Sequence, residues 1–509
     1  MTRVPTLAAH NLMASRMMTT QSNIYDLQTQ LSTKKKSQDY TGIAADTSRL
    51  INFETQASRT QAFITTNTVA NTKLAAMSTS VDGARQSLIS FRDDLSKYLG
   101  RDVSTMDDKE INEFKDLQQR AFNLMKDIED YLDVKIDGQY VFAGGKSDVV
   151  PVSVPFTSLD SFQAVYDGNT VTAPESRFTH MNNTQVTAAE TGTLTFNAGG
   201  TIVAGNADAF NLQHYNSAGI GSTTFDSAAG TISAANAGAF SNVATGMAIQ
   251  VGGSTGNDRF YTVTGVSADG TTLTVAPPPA ANETVAAGLD VTVPSVQPGQ
   301  ITVAGSNGND RTYTVTGVSI DGRTLTVTPP PSAEALGATH KAQISNDIYY
   351  KGGETVVQHR VDETRSVEFG INAKDGAVEK ALRAIGMVCQ GMPTDGAGEV
   401  DGVELRRRLE TALSVAGDAI DHANVNNATE NTQDFGRLEN LLASNQVVLS
   451  KALTNQKTQL SFFQTRAGEL ENADVTQVAV QLNSESNALQ YSYAAMSMVN
   501  QISLLNYLN

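Results

Sequence analysis

The sequence predicts an α+β multidomain chain, in which both termini form a long α-helical coiled-coil bundle and a β-rich outer domain is inserted in the middle. Three observations predict it. Apolar residues recur at spacings of 3 and 4 over long stretches near both ends of the 509-residue chain. Between Lys146 and Lys341 there is no lysine, and the period shifts toward 2, as in "FYTVTGV" and "TLTV". The middle also repeats itself: "IQVGGSTGNDRFYTVTGVSADGTTLTVAPPP" from Ile249 returns as "ITVAGSNGNDRTYTVTGVSIDGRTLTVTPPP" from Ile301, 52 residues on.

The elements follow in order. A first helix precedes the polar break at Lys34, Lys35 and Lys36, which reads as a solvated loop. Phe53, Phe63, Ala70, Leu74, Met77, Val81, Ala84, Leu88, Phe91 and Leu95 then form a stripe, with heptad spacing from Ala70 onward. A helix over 46–99 would run roughly 80 Å at 1.5 Å per residue, which suits a rod. Ile111, Phe114, Leu117, Ala121, Leu124 and Ile128 predict a second rod helix, capped at Ser104 or Thr105 and stopped near Asp137-Gly138.

The C-terminal part mirrors this. Leu405, Leu409, Ala412, Ala416, Ile420 and Ala423 make one stripe. Leu438, Leu442, Leu449, Phe463, Ala467 and Leu470 make a longer one, with polar Asn445 and Gln456 in the seam. Neither set of helices can bury its seam alone, so N-terminal and C-terminal helices are expected to pair. The expected rod core is Leu74, Met77, Val81, Leu88, Phe91, Leu95, Ile111, Phe114, Leu124, Ile128, Leu438, Leu442 and Leu449.

In the repeats, Asp269-Gly270 and Asp321-Gly322 supply hairpin turns, and the triple prolines end the last strands. The flanks "GQYVFAGGKSDVVPV" and "DIYYKGGETVVQHRVDETRSVEFGINA" alternate, and are expected to pair as one sheet with the helix "GAVEKALRAIGMVCQG" packed on it. The expected organisation is terminal helical segments at 1–45 plus 475–509, and a helical rod domain at 46–140 plus 395–474. An outer mixed β domain is expected at 141–165 plus 341–394, and inserted β-modules at 166–340, carrying the tandem repeat (249–279 and 301–331).

Composition and motifs exclude several function classes. A net charge of −17 argues against a nucleic-acid partner, since nothing offsets repulsion from phosphates. No run of 18 apolar residues occurs, so no membrane-spanning helix is expected. The N-terminus lacks the continuous apolar stretch of a secretory signal. Cys389 is the single cysteine and reads as a small buried apolar residue. None of the six histidines stands at metal-ligand spacing from a partner. "GGKS" at Gly144–Ser147 lacks the earlier glycine of a phosphate loop and reads as a turn. "GGSTGNDRF" brushes the calcium-binding nonapeptide pattern, but that pattern needs stacked consecutive copies, so Asp258 and Asp310 read as turn residues. No enzyme chemistry, cofactor or metal is expected.

Three stretches carry a family likeness: "LQTQLSTKKKSQDYTGIAADTSRLINFETQ", "KIDGQYVFAGGKSDVVPV" and the ending "ESNALQYSYAAMSMVNQISLLNYLN". They resemble the flagellin-like axial proteins of the bacterial flagellum, in particular their hook-filament junction members. The likeness covers about residues 1–165 and 341–509, is most specific at the ending, and leaves out the repeats. "DYTGIAADTSRL" replaces the Ser-Asp-Asp-Pro type break of many relatives, and flagellin's Arg-Ile…Asp-Asp-Ala-Ala-Gly segment is absent, which favours the junction branch.

The resemblance implies a structural, extracellular protein that self-associates in a ring or tube. It implies a neighbouring hook-associated protein and flagellin as partners, an export chaperone, and type III export. The implied assembly interface is Leu27, Leu31, Leu482, Leu489, Tyr493, Met496, Val499, Ile502, Leu505 and Leu508. It also gives a reason why Ser486–Asn509 contains no charged side chain: in a tube the last helix has neighbours on all sides. The alternatives are a filament flagellin, or a secreted adhesin or carbohydrate-binding protein acting through the β-repeats. The last would need exposed aromatic pairs, and each repeat offers only Tyr261 or Tyr313, with Phe260 replaced by Thr312 in the second.

Overall fold

A computed structural model describes residues 3–101, 106–368, 371–395, 397–425 and 430–508, without the side chains of residues 3–7, 9 and 500–508. Three helices open the chain: α1 (Arg3–Thr33), α2 (Thr47–Leu99) and α3 (Asp108–Leu132). A hairpin of β1 (Lys135–Ile136) and β2 (Gln139–Tyr140) and two short helices, α4 (Leu159–Gln163) and α5 (Arg177–His180), lead into the sheets. After the sheets come a hairpin of β19 (Gln358–Arg360) and β20 (Ser366–Glu368) and then five helices. They are α8 (Gly376–Cys389), α9 (Gly402–Ile420), α10 (His422–Val425), α11 (Phe435–Glu471) and α12 (Val475–Leu508).

The chain divides into two compact units. The smaller is Met1–Asn71, Arg360–Arg365 and Val447–Asn509; the larger is Thr72–His359 and Ser366–Gln446. In the smaller unit α1 and α12 pack together along their lengths. The N-terminal part of α2 meets the C-terminal part of α11, with Phe53 6.4 Å from both Phe462 and Phe463.

In the larger unit α3 starts on a capping box. Asp107 accepts from the N–H groups of Lys109 and Glu110, and Glu110 reaches back to the Asp107 N–H. The expected caps, Ser104 and Thr105, lie outside the described residues. The helix stops at Leu132 rather than near Asp137-Gly138. That pair instead turns the β1–β2 hairpin, with φ of +50° and +78°, a conformation Asp and Gly tolerate.

The two flanks of the β region do not form the expected common sheet. They meet at the bridge Val152 to Tyr350 and at bonds from the Gly353 N–H to the Ala143 carbonyl of 2.8 Å and from the Ala373 N–H to the Phe142 carbonyl of 3.0 Å. Pro151 and Pro155 lack donors, and Gly144 turns the chain so close to Gly353 that a Cβ there would lie 2.2 Å from its carbonyl. The helix expected on that sheet, α8, packs against α3 and α9, and every one of its residues is buried.

The middle is a module nested inside a module. The outer one is built from β3 (Gln185–Val186), β4 (Leu194–Asn197) and β5 (Thr201–Ala204). The short helix α6 (Ala188–Thr191) lies between β3 and β4. The inner one follows at once: β6 (Asn211–Asn216), helix α7 (Ser217–Ile220), β7 (Thr223–Asp226), β8 (Thr231–Ala234), β9 (Ala248–Gly252), β10 (Phe260–Val266), β11 (Thr272–Ala276), β12 (Glu283–Val285) and β13 (Asp290–Pro294). The outer module then resumes with β14 (Gly299–Ala304), β15 (Arg311–Val318), β16 (Thr324–Thr328), β17 (Glu334–Leu336) and β18 (Gln343–Asn346).

The strand orders, β12-β7-β8-β11-β10-β9-β13-β6 and β17-β4-β5-β16-β15-β14-β18-β3, match place for place. The match reaches individual hydrogen bonds. In the outer module the N–H groups of Asp208 and Phe210 donate to the carbonyls of Asp321 and Gly322 at 2.8 and 2.9 Å. In the inner module Gly238 and Phe240 donate to Asp269 and Gly270 at 3.0 and 2.8 Å. The inner module enters right after Phe210 and leaves at Ser295, whose N–H donates to the Phe210 carbonyl at 2.9 Å. The repeat at 249–279 and 301–331 is therefore only part of each unit. The remainder includes "NADAF" (206–210) against "NAGAF" (236–240), and in the outer module the insertion separates it from 301–331. Each module buries its own apolar core, one around Phe196, Ile301 and Tyr313, the other around Phe225, Ile249 and Tyr261.

Candidate functional site

The terminal helices are the part of the molecule that its own fold leaves unsatisfied. In α1 no described side chain is buried, and in α12 only Val478 is. The two helices run antiparallel, held by the Gln21 amide donating to the Tyr493 hydroxyl at 2.7 Å and the Asn23 amide donating to the Glu485 carboxylate at 3.4 Å. Leu27 and Leu31 on α1, and Leu482, Leu489, Met496 and Val499 on α12, are half-buried. Tyr493 is exposed. Of Ile502, Leu505 and Leu508 only the helical backbone is described. Apolar side chains also stand free: Met18 and Tyr25 are 70 % and 71 % exposed, and Val480, Tyr491 and Met498 are 65 %, 76 % and 63 % exposed. The pair carries only Arg3, Arg16, Asp26 and Glu485 as charges over its two long helices.

Of the expected rod core, Leu74, Met77, Val81, Leu88, Phe91, Leu95, Phe114, Leu124, Ile128, Leu438, Leu442 and Leu449 are buried. Ile111 is half-buried. The two polar seam residues of α11 have specific partners. Gln456 donates to the Val361 carbonyl at 2.9 Å and accepts from the Asn67 amide at 2.9 Å. Asn445 donates to the Glu368 carbonyl at 2.8 Å. Both therefore bond backbone at or beside the β19–β20 hairpin, which satisfies polar groups that would otherwise be costly to bury.

The lysine run is not a free solvated loop. The Lys36 ammonium donates to the carbonyls of Glu469 and Leu470 at 3.0 and 2.9 Å, at the end of α11. The Lys36 N–H donates to Glu471 at 2.8 Å, and Ala473 donates to the Lys34 carbonyl at 2.9 Å. A cation on the last carbonyls of a helix is favoured by their unpaired lone pairs and by the dipole. The break after α1 is thus tied to the break between α11 and α12.

The Gly-Asn-Asp turns are closed by their own backbone. Asp258 accepts from the N–H groups of Gly253 and Ser254 at 3.1 and 2.7 Å, and Asp310 from those of Gly305 and Ser306 at 2.9 and 2.6 Å. Hydrogen bonds from Ser306 and this backbone hold the Asp310 carboxyl below its ordinary range. Tyr261 and Tyr313 lie in the module cores, each 1 % exposed. Among the described residues no group of three or more His, Cys, Asp or Glu side chains could hold a metal, and no helix is long and apolar enough to cross a membrane.

Sequence reasoning missed a buried ionic network in the larger unit. Arg383 donates to Glu379 at 2.8 Å, to Glu430 at 2.6 Å and to the Glu175 carbonyl at 2.8 Å. The His180 ring nitrogen lies 2.9 Å from Glu379, and Lys380 pairs with Asp418. Arg407 bonds Glu175 at 2.7 and 2.9 Å. Burial opposes the charge on Glu379, yet Arg383 and His180 outweigh it and bring its pKa down to about 2. The available signal was the i,i+4 pairs Glu379–Arg383 and Glu404–Arg408, which in isolation read as surface pairs.

No family model and no curated protein matches the chain. Solved structures are similar to it, among them three flagellar proteins. Flagellar hook-associated protein 3 of Legionella pneumophila is 12 % identical over 90 % of this chain and 99 % of its own, with a TM-score of 0.24. The flagellar junction protein FlgL of Legionella pneumophila is 13 % identical over 82 % and 99 %, with a TM-score of 0.24. FlgL of Xanthomonas campestris is 9 % identical over 86 % and 97 %, with a TM-score of 0.25.

Proposed function

We propose that the chain is a structural subunit of the bacterial flagellum, acting at the hook-filament junction and polymerising through α1 and α12. The observation that carries this reading is the terminal pair itself. Two long helices with four charges between them leave most of their apolar side chains half-buried or exposed. Each such side chain contributes roughly 1.5–3 kcal/mol when fully buried, so the pair is stabilised strongly only by neighbouring copies. The family likeness of the ending supports the same assignment, and the similar structures are junction proteins by description. On this reading the partners are further copies, a hook-associated protein and flagellin, and the chain works outside the cell. The adhesin alternative loses its support, because Tyr261 and Tyr313 are in the cores.

Labelling isolated flagella tests the proposal. A thin band at the distal end of the hook is the expected result; labelling along the filament means flagellin, and absence from flagella overturns the reading. Removing the last twenty residues should leave the cooperative melt of the larger unit intact and abolish incorporation. A truncated chain that still supports filament growth refutes the role of α12.

A further inference from the structure

The chain contains a single Asn-Gly pair, Asn307-Gly308. It lies in the Gly-Asn-Asp turn between β14 and β15 of the outer module, and both residues are exposed. The side-chain amide of an asparagine is open to attack by the backbone nitrogen of the next residue. A following glycine opposes this least, because it has no Cβ to block the approach and its backbone bends freely. The neighbourhood adds a base. The Glu334 carboxylate accepts from the Asn307 N–H at 2.8 Å and from the Asn309 amide at 2.6 Å. The Gly308 N–H and the Asn307 side-chain amide face the same carboxylate. Burial opposes its charge, but these hydrogen bonds outweigh it and hold Glu334 below the ordinary carboxyl range, so it is ionised at neutral pH. Nucleophile, electrophile and base therefore meet in one turn. The duplication supplies an internal control. The inner module has the same turn with Thr255-Gly256 in place of Asn307-Gly308, and Glu283 accepts from the Thr255 N–H at 2.7 Å. It has the glycine and the base but no side-chain amide to attack.

We propose that Asn307 is a site of self-modification, at which the folded turn converts its own asparagine to aspartate and isoaspartate. Glu334 takes the proton of the Gly308 N–H. The Gly308 nitrogen bonds Asn307 Cγ, the Cγ–Nδ2 bond breaks, and the side-chain nitrogen leaves as ammonia with the proton that Glu334 returns. Water then opens the resulting succinimide ring at either carbonyl, giving aspartate or isoaspartate. No oxidant or cofactor is consumed. The product adds a carboxylate to the turn that already holds Asp310 and Glu334, so like charges oppose one another there. The change falls on the outer module alone, where Glu334 begins the edge strand β17. The site is independent of the helical assembly.

Ageing the purified full-length chain in mildly alkaline buffer tests it, read by peptide mass mapping and by enzymatic methylation of isoaspartate. Asn307 should show the mass change of amide to acid and become methylatable. Asn257 and Asn309, buried and followed by aspartate, should stay amides. Gly308→Ala should slow the conversion severalfold. A Cβ there meets nothing within 4 Å, and Gly308 is not among the glycines of positive φ, so this variant keeps the turn. Glu334→Gln keeps an acceptor for the Asn307 N–H but removes the base, and should also slow the conversion severalfold. A carboxylate that only held the turn rigid would, when replaced, give the opposite result. Asn307 staying an amide while the denatured chain converts it, a wild-type rate in Gly308→Ala, or an equal or faster rate in Glu334→Gln overturns the proposal.

Discussion

Replacing residues 211–294 by Asn-Gly should remove the inner module and leave a complete outer one. The perturbation follows from the geometry of the insertion. Asn211 and Pro294 are opposite partners in the β6–β13 ladder, and Ser295 donates to the Phe210 carbonyl at 2.9 Å. Opposed residues in such a ladder lie about 5 Å apart, so a two-residue Asn-Gly turn spans the gap. The outer sheet then keeps all eight of its strands, β17-β4-β5-β16-β15-β14-β18-β3. The cost lies in the contacts the inner module makes with the rest of the chain, where the Ser176 hydroxyl also donates to the Gly246 carbonyl. Phe260 packs on the outer core, and Ile320 lies over Gly252. Each is a partly buried side chain worth about 1 kcal/mol, so the outer module should lose about 2 kcal/mol. For a unit of its size that lowers the melting temperature by on the order of 8–16 °C. Circular dichroism and calorimetry read the result. Helical signal per molecule should be nearly unchanged, because 211–294 contains only the four-residue α7. A product that aggregates, or whose segments 185–210 and 295–346 become protease-sensitive, would refute the nested reading.

Three further outcomes follow from single side chains. Glu379 has a pKa of about 2 against an ordinary 4.5, so it contributes stability above pH 4.5 that is lost as pH falls toward 2. That shift corresponds to about 3 kcal/mol, and Glu379→Gln should cost a similar amount at pH 7 while flattening the acid limb of a stability-versus-pH curve. An unchanged acid limb would show that another carboxylate controls it. Asp133 is the opposite case: burial first, then Glu129 and Asp130, raise its pKa to about 6 against the bond from the Val152 N–H. Its contribution is present below pH 3.8 and lost as pH rises through 6, so Asp133→Asn should gain about 1 kcal/mol at pH 7, after discounting for its exposure, and nothing at pH 3.5. Equal gains at both pH values would rule out titration as the cause. Val81, 1 % exposed, sits in the α2 seam, and Val81→Asp should destabilise the larger unit by several kcal/mol in a denaturant melt; a wild-type midpoint would contradict burial of the seam.

What the sequence revealed follows the range of each physical signal. Periodicity is local and strong over long helices, which is why α2 was expected at 46–99 and runs Thr47–Leu99. The Asp-Gly turns of the repeats were legible because the turn chemistry lies within four residues. Asp137-Gly138 misled for the same reason: the pair suits both a helix stop and a hairpin, and local sequence does not choose. The nesting was hidden because β5 and its neighbour β16 lie far apart in the chain. The ionic network was hidden because Glu379, Lys380 and Arg383 look like the solvent face of an amphipathic helix until α3, α5 and α9 close around α8. Lys36 was hidden too, since its partners lie more than 400 residues away.

The two kinds of helix bear opposite relations to charge, and that contrast separates folding from assembly. In α8 all residues are buried, and its ions are matched inside the chain by Asp418, Glu430 and His180. A buried ion whose partner is removed costs several kcal/mol, so this helix holds one arrangement within the monomer. In α1 and α12 burial is almost absent and charge is almost absent as well. A helix pair meant for water would carry a polar, charged face. A pair covered on all sides, as in the proposed assembly, cannot, because each charge would then need a partner on a neighbour at a fixed position. Uncharged, apolar helices accept neighbours in several registers at little cost, which is what the proposed role of joining two different lattices would require.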